Sequence, residues 1–255
     1  MRRLSVPLAV ATLMTAALPI AHAACEATST PTSVALVELY TSQGCSSCPP
    51  ADRWLSQLAK QGGPRAIPLA FHVGYWDYIG WKDPYARPEF NERQSRLAAA
   101  NGSRSVYTPG VFVQGREARR WHDAREFYAQ VRSINQRAAG AKIMIDQVKM
   151  DGRRVEMRVR SELVAPAVSK RANLFVALVE SGLSTRVTAG ENRGEKLSND
   201  RVVRSWSGPL QLGTQSLELQ ASGSTTADLA LVAFVEDEAG VLQTLQLPLR
   251  SCGPS

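Results

Sequence analysis

Cys45 and Cys48 enclose Ser46 and Ser47, and this is the one C-x-x-C spacing among the four cysteines of the 255-residue chain. Two thiols so spaced suit thiol–disulfide exchange, in which one sulfur attacks a disulfide as the thiolate and the second resolves the mixed disulfide. At the start of a helix the first sulfur lies near unsatisfied backbone N–H groups and the positive end of the helix dipole, which lowers its pKa below the free value of about 8.5. Cys45 is therefore the expected catalytic nucleophile and Cys48 the expected resolver. Pro49 and Pro50 follow directly and shift the regular helix past the nucleophile, which leaves the size of the pKa shift open. Glu38, seven residues before Cys45 in an apolar run, is a candidate catalytic acceptor for the Cys48 proton, because burial raises a carboxyl toward the thiol range. The competing reading of Glu38 is a satisfied polar residue on a strand edge. Cys45, Cys48 and His72 together would suit Cu(I) or Zn(II), so a copper-carrying metallochaperone is an alternative function. No second ligand pair is visible, and a hydrogen-bonded core histidine is the preferred reading of His72; no metal and no cofactor is expected.

The other two cysteines, Cys25 and Cys252, stand near the chain ends. Because the spacing assigns Cys45 to Cys48, Cys25 and Cys252 form the expected structural disulfide, worth about 5 kcal/mol at most in the chain-entropy model. Two unpaired thiols at frayed ends is the alternative. Residues 1–23 read as a signal peptide: Met1, Arg2 and Arg3 give a positive start, Leu4 to Ile20 an apolar stretch, and Ala21-His22-Ala23 a small-x-small cleavage site. Cleavage near Ala23 predicts a periplasmic or secreted protein in an oxidising compartment, where disulfides persist. No later segment reaches 18 uninterrupted apolar residues, so no stable membrane insertion is expected.

The elements that must position the cysteines are legible around them. Val34 to Tyr40 is a nearly continuous apolar run, as in a strand covered on both faces. After the cysteines, Pro49 and Pro50 open a helix carried by Leu55, Leu58 and Ala59 until Gly62-Gly63. Ala66 to Val73 is a second strand, and Pro68 within it points to a sheet edge. A helix from Pro88 to Asn101 ends at Gly102, a strand from Val111 to Val113 pairs with residues 117–121, and Asp123 with Glu126 caps a third helix. Beyond Gly140 the period turns to alternation, with a hairpin about Asp151-Gly152 and about eight short strands, the pattern of a β-sandwich. The expected organisation is a thioredoxin-like α/β domain over residues 24–139 followed by an all-β sandwich-like domain over 140–255.

The stretch Val37-Glu38-Leu39-Tyr40-Thr41-Ser42-Gln43-Gly44-Cys45-Ser46-Ser47-Cys48-Pro49-Pro50-Ala51-Asp52 resembles an uncharacterised secreted thioredoxin-like family known only as a domain of unknown function. Two further stretches carry the same likeness, Phe71-His72-Val73-Gly74-Tyr75-Trp76-Asp77-Tyr78-Ile79-Gly80-Trp81 and Tyr107-Thr108-Pro109. The passage into the cysteines is also similar to glutaredoxins. The resemblance implies a thioredoxin fold with Cys45 and Cys48 as the redox pair and a cis Thr108-Pro109 bond facing them, where a substrate strand would pair. It names no substrate. Tyr75, Trp76, Tyr78, Trp81, Tyr85 and Phe90 are six of the 17 aromatics in one short stretch, either a packed lid or, through Trp76, a peptide-binding face beside Thr108 and Pro109. Gly190-Glu191-Asn192-Arg193-Gly194 and Val202-Val203-Arg204 also match the family and read as a docking segment between the two parts.

Composition narrows the partners. Without Arg2 and Arg3 the chain holds 28 basic and 23 acidic residues, and its basic spots, Arg116 with Arg119 and Arg120 and then Arg153 with Arg154, are solvated faces rather than a stripe that would track a nucleic acid. The expected function is an exported thiol–disulfide oxidoreductase whose partners are protein thiols or disulfides and a redox partner. A structural or binding protein with an inert Cys45–Cys48 disulfide is the remaining alternative.

Overall fold

The computed structural model describes residues 25–61, 65–164, 171–222 and 228–252; the expected signal peptide lies outside the described residues. After a short β1 (Ala27–Thr28), the chain runs through β2 (Ala35–Thr41), α1 (Pro49–Lys60), β3 (Ala66–His72), α2 (Pro88–Ala100), β4 (Gly110–Val113), β5 (Arg116–Glu117) and α3 (Ala124–Asn135). It continues through β6 (Ala141–Asp151), β7 (Arg154–Leu163), β8 (Asn173–Ser181), β9 (Leu183–Arg186), β10 (Lys196–Asn199), β11 (Val202–Leu210), β12 (Gly213–Gln220), β13 (Asp228–Asp237) and β14 (Gly240–Pro248). Local chemistry explains many of these ends. All seven residues of β2 are buried, as its unbroken apolar run requires. Proline opens both α1 and α2, where its missing N–H costs nothing. The Asp123 side chain accepts from Glu126 N at 3.1 Å to start α3, and Gly152, at φ +56°, makes the turn between β6 and β7 that a side chain would strain.

The expected architecture, a thioredoxin-like α/β domain followed by a β-sandwich, is overturned. The chain is mostly β, and strands from both sides of Gly140 share one eight-stranded sheet in the order β14-β13-β8-β11-β3-β2-β4-β5. The seam is β11, which pairs antiparallel with β8 and parallel with β3, where Val202 stands opposite Ala70. No local pattern announces such a junction, because it joins residues more than 130 positions apart. Pro68 misleads for the same reason. β3 is interior, flanked by β2 and β11, yet the β11 ladder touches β3 at Ala70, whose N–H donates to Arg201 O at 2.9 Å. The Pro68 carbonyl instead accepts from Arg201 Nε at 3.1 Å, so its missing N–H breaks no bond there.

One face of the large sheet carries a single core across both halves, with Leu36, Tyr40 and Phe71 packed beside Phe175, Val203 and Phe234 under Phe90 of α2. The opposite face is divided. At one end α1 and α3 cover Val37, Leu39 and Val111 through Leu55, Phe127 and Val131; at the other the four-stranded sheet β1-β6-β7-β12 covers β8, β13 and β14. β9 and β10 form a separate antiparallel hairpin, inserted between β8 and β11.

Candidate functional site: the Cys45–Cys48 loop

β2 ends at Thr41, and the next seven residues turn back to start α1, with Cys48 as its N-cap. Cys45 and Cys48 are disulfide-bonded. Cys45 N donates to Ser42 O and Cys48 N to Cys45 O, so the loop is a pair of tight turns ahead of the helix rather than its first turn. Pro49 and Pro50 occupy the first two helical positions and remove two of the N–H groups that would otherwise point at the sulfurs. Cys45 is 1% exposed and Cys48 fully buried, whereas Ser46 and Ser47 between them are exposed. The Ser47 hydroxyl lies 3.3 Å from Cys45 Sγ.

Thr108 and Pro109 are brought to the same place. Their peptide bond is cis, and the Thr108 carbonyl oxygen lies 3.8 Å from Cys45 Sγ. Trp76 Nε1 donates to Thr108 Oγ1 at 2.7 Å, which fixes the aromatic segment against this edge. Trp81 reaches the loop itself, donating from Nε1 to Gln43 Oε1 at 3.2 Å. Cys25 and Cys252 form the second disulfide, packed against the core under the four-stranded sheet and thus apart from the cysteine loop. Both disulfides accord with an oxidising compartment, and among the described residues no helix is long and apolar enough to cross a membrane.

Glu38 is not brought to Cys48. Successive strand residues face opposite sides: Val37 and Leu39 face α1 and α3, while Leu36 and Tyr40 face α2, and Glu38 goes with the latter. Its carboxylate accepts from Arg93 Nε at 2.7 Å, from Arg93 Nη2 at 3.0 Å and from the Tyr40 hydroxyl at 3.0 Å. Arg93 also donates to both Glu236 oxygens, and its guanidinium lies within 5.3 Å of the Phe175, Trp206 and Phe234 ring centroids. Burial acts to lower the Arg93 pKa, but Glu38, Tyr40 and Glu236 together outweigh it and hold the guanidinium well above its ordinary value.

His72 faces the other way, toward α1. Its Nδ1 lies 2.7 Å from Asp83 Oδ2, and the same carboxylate oxygen accepts the Gln43 N–H at 2.7 Å. Burial acts to lower the His72 pKa, yet the Asp83 charge and hydrogen bond leave it raised. The same pairing, acting against burial, holds Asp83 below the usual carboxylate range. His72 Nε2 has no hydrogen-bond partner among the described residues. The alternative donor set of Cys45, Cys48 and His72 is not assembled: both cysteines are in a disulfide, and no group of three or more His, Cys, Asp or Glu among the described residues could hold a metal.

Asp52 was missed by the sequence reading. It lies one helical turn beyond Cys48 on α1, at the spacing that places two side chains on one helix face, and it is buried with Ala51, Leu55 and Leu58. Burial pushes its carboxyl up to about 6 from 3.8, with the nearby His72 charge pulling the other way. The signal was present: Asp52 stands three residues before Leu55 and thus on the apolar stripe of a short amphipathic helix, where a carboxylate is out of place. Asn192 was read as part of a docking segment and does dock, donating through Nδ2 to Gln43 O at 2.9 Å and Cys45 O at 3.0 Å.

A family model described as "Protein of unknown function (DUF1223)" matches residues 36–236, which includes the cysteine loop, Asp52, His72, Thr108 and Asn192. No curated protein matches the chain. Among solved structures, protein AGR_C_4864 from Agrobacterium tumefaciens is similar at 25% identity with a TM-score of 0.60, over 86% of this chain and 96% of that one. HBP35 of Porphyromonas gingivalis is similar at 12% identity with a TM-score of 0.62, over 89% of this chain and 78% of that one; that likeness speaks to the fold alone.

Proposed function

We propose that this chain, which belongs to the DUF1223 family of proteins of unknown function, is an exported oxidoreductase that exchanges disulfides with protein thiols through Cys45 and Cys48. The observation that carries the reading is the Cys45–Cys48 disulfide against the Thr108 carbonyl, with a buried acid one turn further along α1. A purely structural crosslink three residues long closes a loop too short to restrain much of the chain, and it needs no titratable group buried beside it.

In the reduced state the Cys45 thiolate attacks one sulfur of a partner disulfide, and the partner's other sulfur leaves as a thiolate that takes a proton from water. Cys48 then gives its proton to the Asp52 carboxylate and its sulfur attacks Cys45 Sγ. The Cys45–Cys48 bond forms, the mixed disulfide breaks, and the second partner thiolate departs and is protonated. Two electrons pass to the partner, and the reverse sequence oxidises a dithiol. Asp52 suits the acceptor role because its raised pKa keeps it in range of a thiol, whereas Glu38 lies across the sheet with both oxygens engaged by Arg93. The exposed residues 104–107, with Tyr107 41% exposed, give a partner segment its approach to Thr108.

The test is trapping. Reduced Cys48→Ser protein treated with glutathione disulfide and then with a disulfide-bonded protein should hold a stable mixed disulfide on Cys45, visible by mass spectrometry. Cys45→Ser should hold none. A Cys48→Ser protein that stays unmodified under conditions that oxidise free glutathione would overturn the reading.

A further inference from the structure

The β9–β10 hairpin lays charge on the cysteine loop from about 145 residues away in the chain. Gly190, at φ +71°, turns against Trp81, where an added Cβ would come within 3.2 Å of the Trp81 Cβ. The next residue, Glu191, accepts the Ser46 N–H at 2.9 Å. Asn192, buried, holds Gln43 O and Cys45 O. The hairpin is thus fixed to the loop by contacts on Gln43, Cys45 and Ser46.

Ser46 N–H is a donor that matters here. With Pro49 and Pro50 at the start of α1, few backbone N–H groups remain near the sulfurs to stabilise a thiolate. A carboxylate takes one of them and adds a negative charge beside the residue that must ionise. The Ser46 backbone N–H in turn holds the Glu191 carboxyl below the usual carboxylate range, so it stays an anion at neutral pH. The other charged groups against the loop are Asp52 from α1, His72 from β3 and Asp83 from the segment after it, and Arg193 follows Glu191 in the hairpin turn.

We infer that Glu191 is a positioning residue that holds Cys45 toward its thiol form and so sets the pair to reduce disulfides of partner proteins rather than to supply them. The inference rests on the thiol–disulfide reading above. A less stable thiolate makes the dithiol less stable relative to the disulfide, and the equilibrium moves toward giving up electrons. As the Cys45–Cys48 bond forms, the partner S–S bond breaks into two thiols that receive the two electrons and two protons. A dithiol protein, itself becoming a disulfide, then restores the pair.

The experiment compares wild type with Glu191→Gln, which keeps an acceptor and drops the charge, and Glu191→Ala, which also frees the N–H. Thiolate absorbance of the reduced proteins gives the Cys45 pKa, and equilibration with glutathione buffers gives the redox constant, each at low and high salt. Glu191→Gln should lower the Cys45 pKa and shift the redox constant about threefold toward the dithiol at low salt, with the shift shrinking as salt screens the charge. Glu191→Ala should shift it further, by roughly tenfold. Variants that titrate and equilibrate as wild type does overturn the inference. A wild-type pair that never equilibrates with glutathione overturns the thiol–disulfide reading and the electron-donor assignment with it, while the titration alone still decides whether Glu191 holds Cys45.

Discussion

Two buried charge clusters flank β2 and β3, one on each face of the same sheet, and they differ in how completely their charges are matched. On the α2 face, Arg93 stands between Glu38 and Glu236, the Tyr40 hydroxyl adds a further bond, and three aromatic rings surround the guanidinium. On the α1 face, Asp83 satisfies one nitrogen of His72, the other nitrogen has no partner among the described residues, and Asp52 is buried with its pKa raised. Saturation holds a charge in one state. A cluster left short of partners keeps a group that can change state, and that is the cluster joined to the cysteine loop where Asp83 accepts the Gln43 N–H. On the proposed reading, the chemistry belongs to one face and cohesion to the other.

The largest effect expected from breaking this comparison is on the saturated side. Arg93→Met leaves Glu38 buried opposite an apolar chain, and losing one partner of a buried pair costs about 3–5 kcal/mol. Chemical denaturation should show that loss, and the double variant Arg93→Met with Glu38→Leu should recover most of it, because the Glu236 side chain is 19% exposed and can turn to water. A single variant costing under about 1 kcal/mol would mean that the cluster behaves like a surface pair, and the contrast between the faces would go.

The unsaturated side responds with the opposite sign. An acid whose folded pKa stands above its unfolded value favours the fold fully below the unfolded pKa and loses that contribution as pH rises through the folded one. For Asp52 the window runs from 3.8 to about 6. Asp52→Asn should therefore raise stability at neutral pH by roughly 2–3 kcal/mol at most, less what His72 loses with its neighbour, and the gain should vanish below about pH 4. The same variant should slow resolution of the mixed disulfide by about 10²-fold, seen as longer-lived glutathione adducts on Cys45. A variant that is more stable and resolves at the wild-type rate would keep the electrostatics and remove Asp52 from the mechanism.

Which parts were legible in the sequence follows from the range of the forces that set them. The cysteine spacing, the proline start of α1, the Asp123 cap and the Asp151-Gly152 turn are fixed within a few residues, and each could be placed before any fold was known. The seam at β11 could not, because Val202 meets Ala70 through backbone groups that every residue carries. Glu38 shows a finer limit. Its burial was readable from its neighbours, but the face it occupies depends on which side of β2 α1 covers, and α1 covers Val37 and Leu39. Asp52 was readable from the helical period and was passed over in favour of an acid in a strand. Glu191 stood inside a segment read as docking, but nothing local pointed it at the cysteine loop, since its partner Ser46 is supplied by the docking of the hairpin.

The smallest effect tests whether the sheet insulates one cluster from the other. Tyr40→Phe removes the 3.0 Å bond to Glu38 and keeps the ring that stacks on Phe71 at 5.3 Å and meets Phe112 edge-on at 5.7 Å. Glu38 retains Arg93 on both oxygens, so the cost should be that of one redundant hydrogen bond, about 0.5–1.5 kcal/mol. Tyr40 lies only two residues before Ser42, which accepts the Cys45 N–H, so a redox effect is not forbidden by distance along the chain. It is opposed by the pleat, which turns the Tyr40 side chain to the α2 face. The Cys45–Cys48 reduction potential should therefore match wild type within error while stability falls. A potential that moves with Tyr40→Phe would show that the two clusters act as one, and the division of labour across β2 would have to be abandoned.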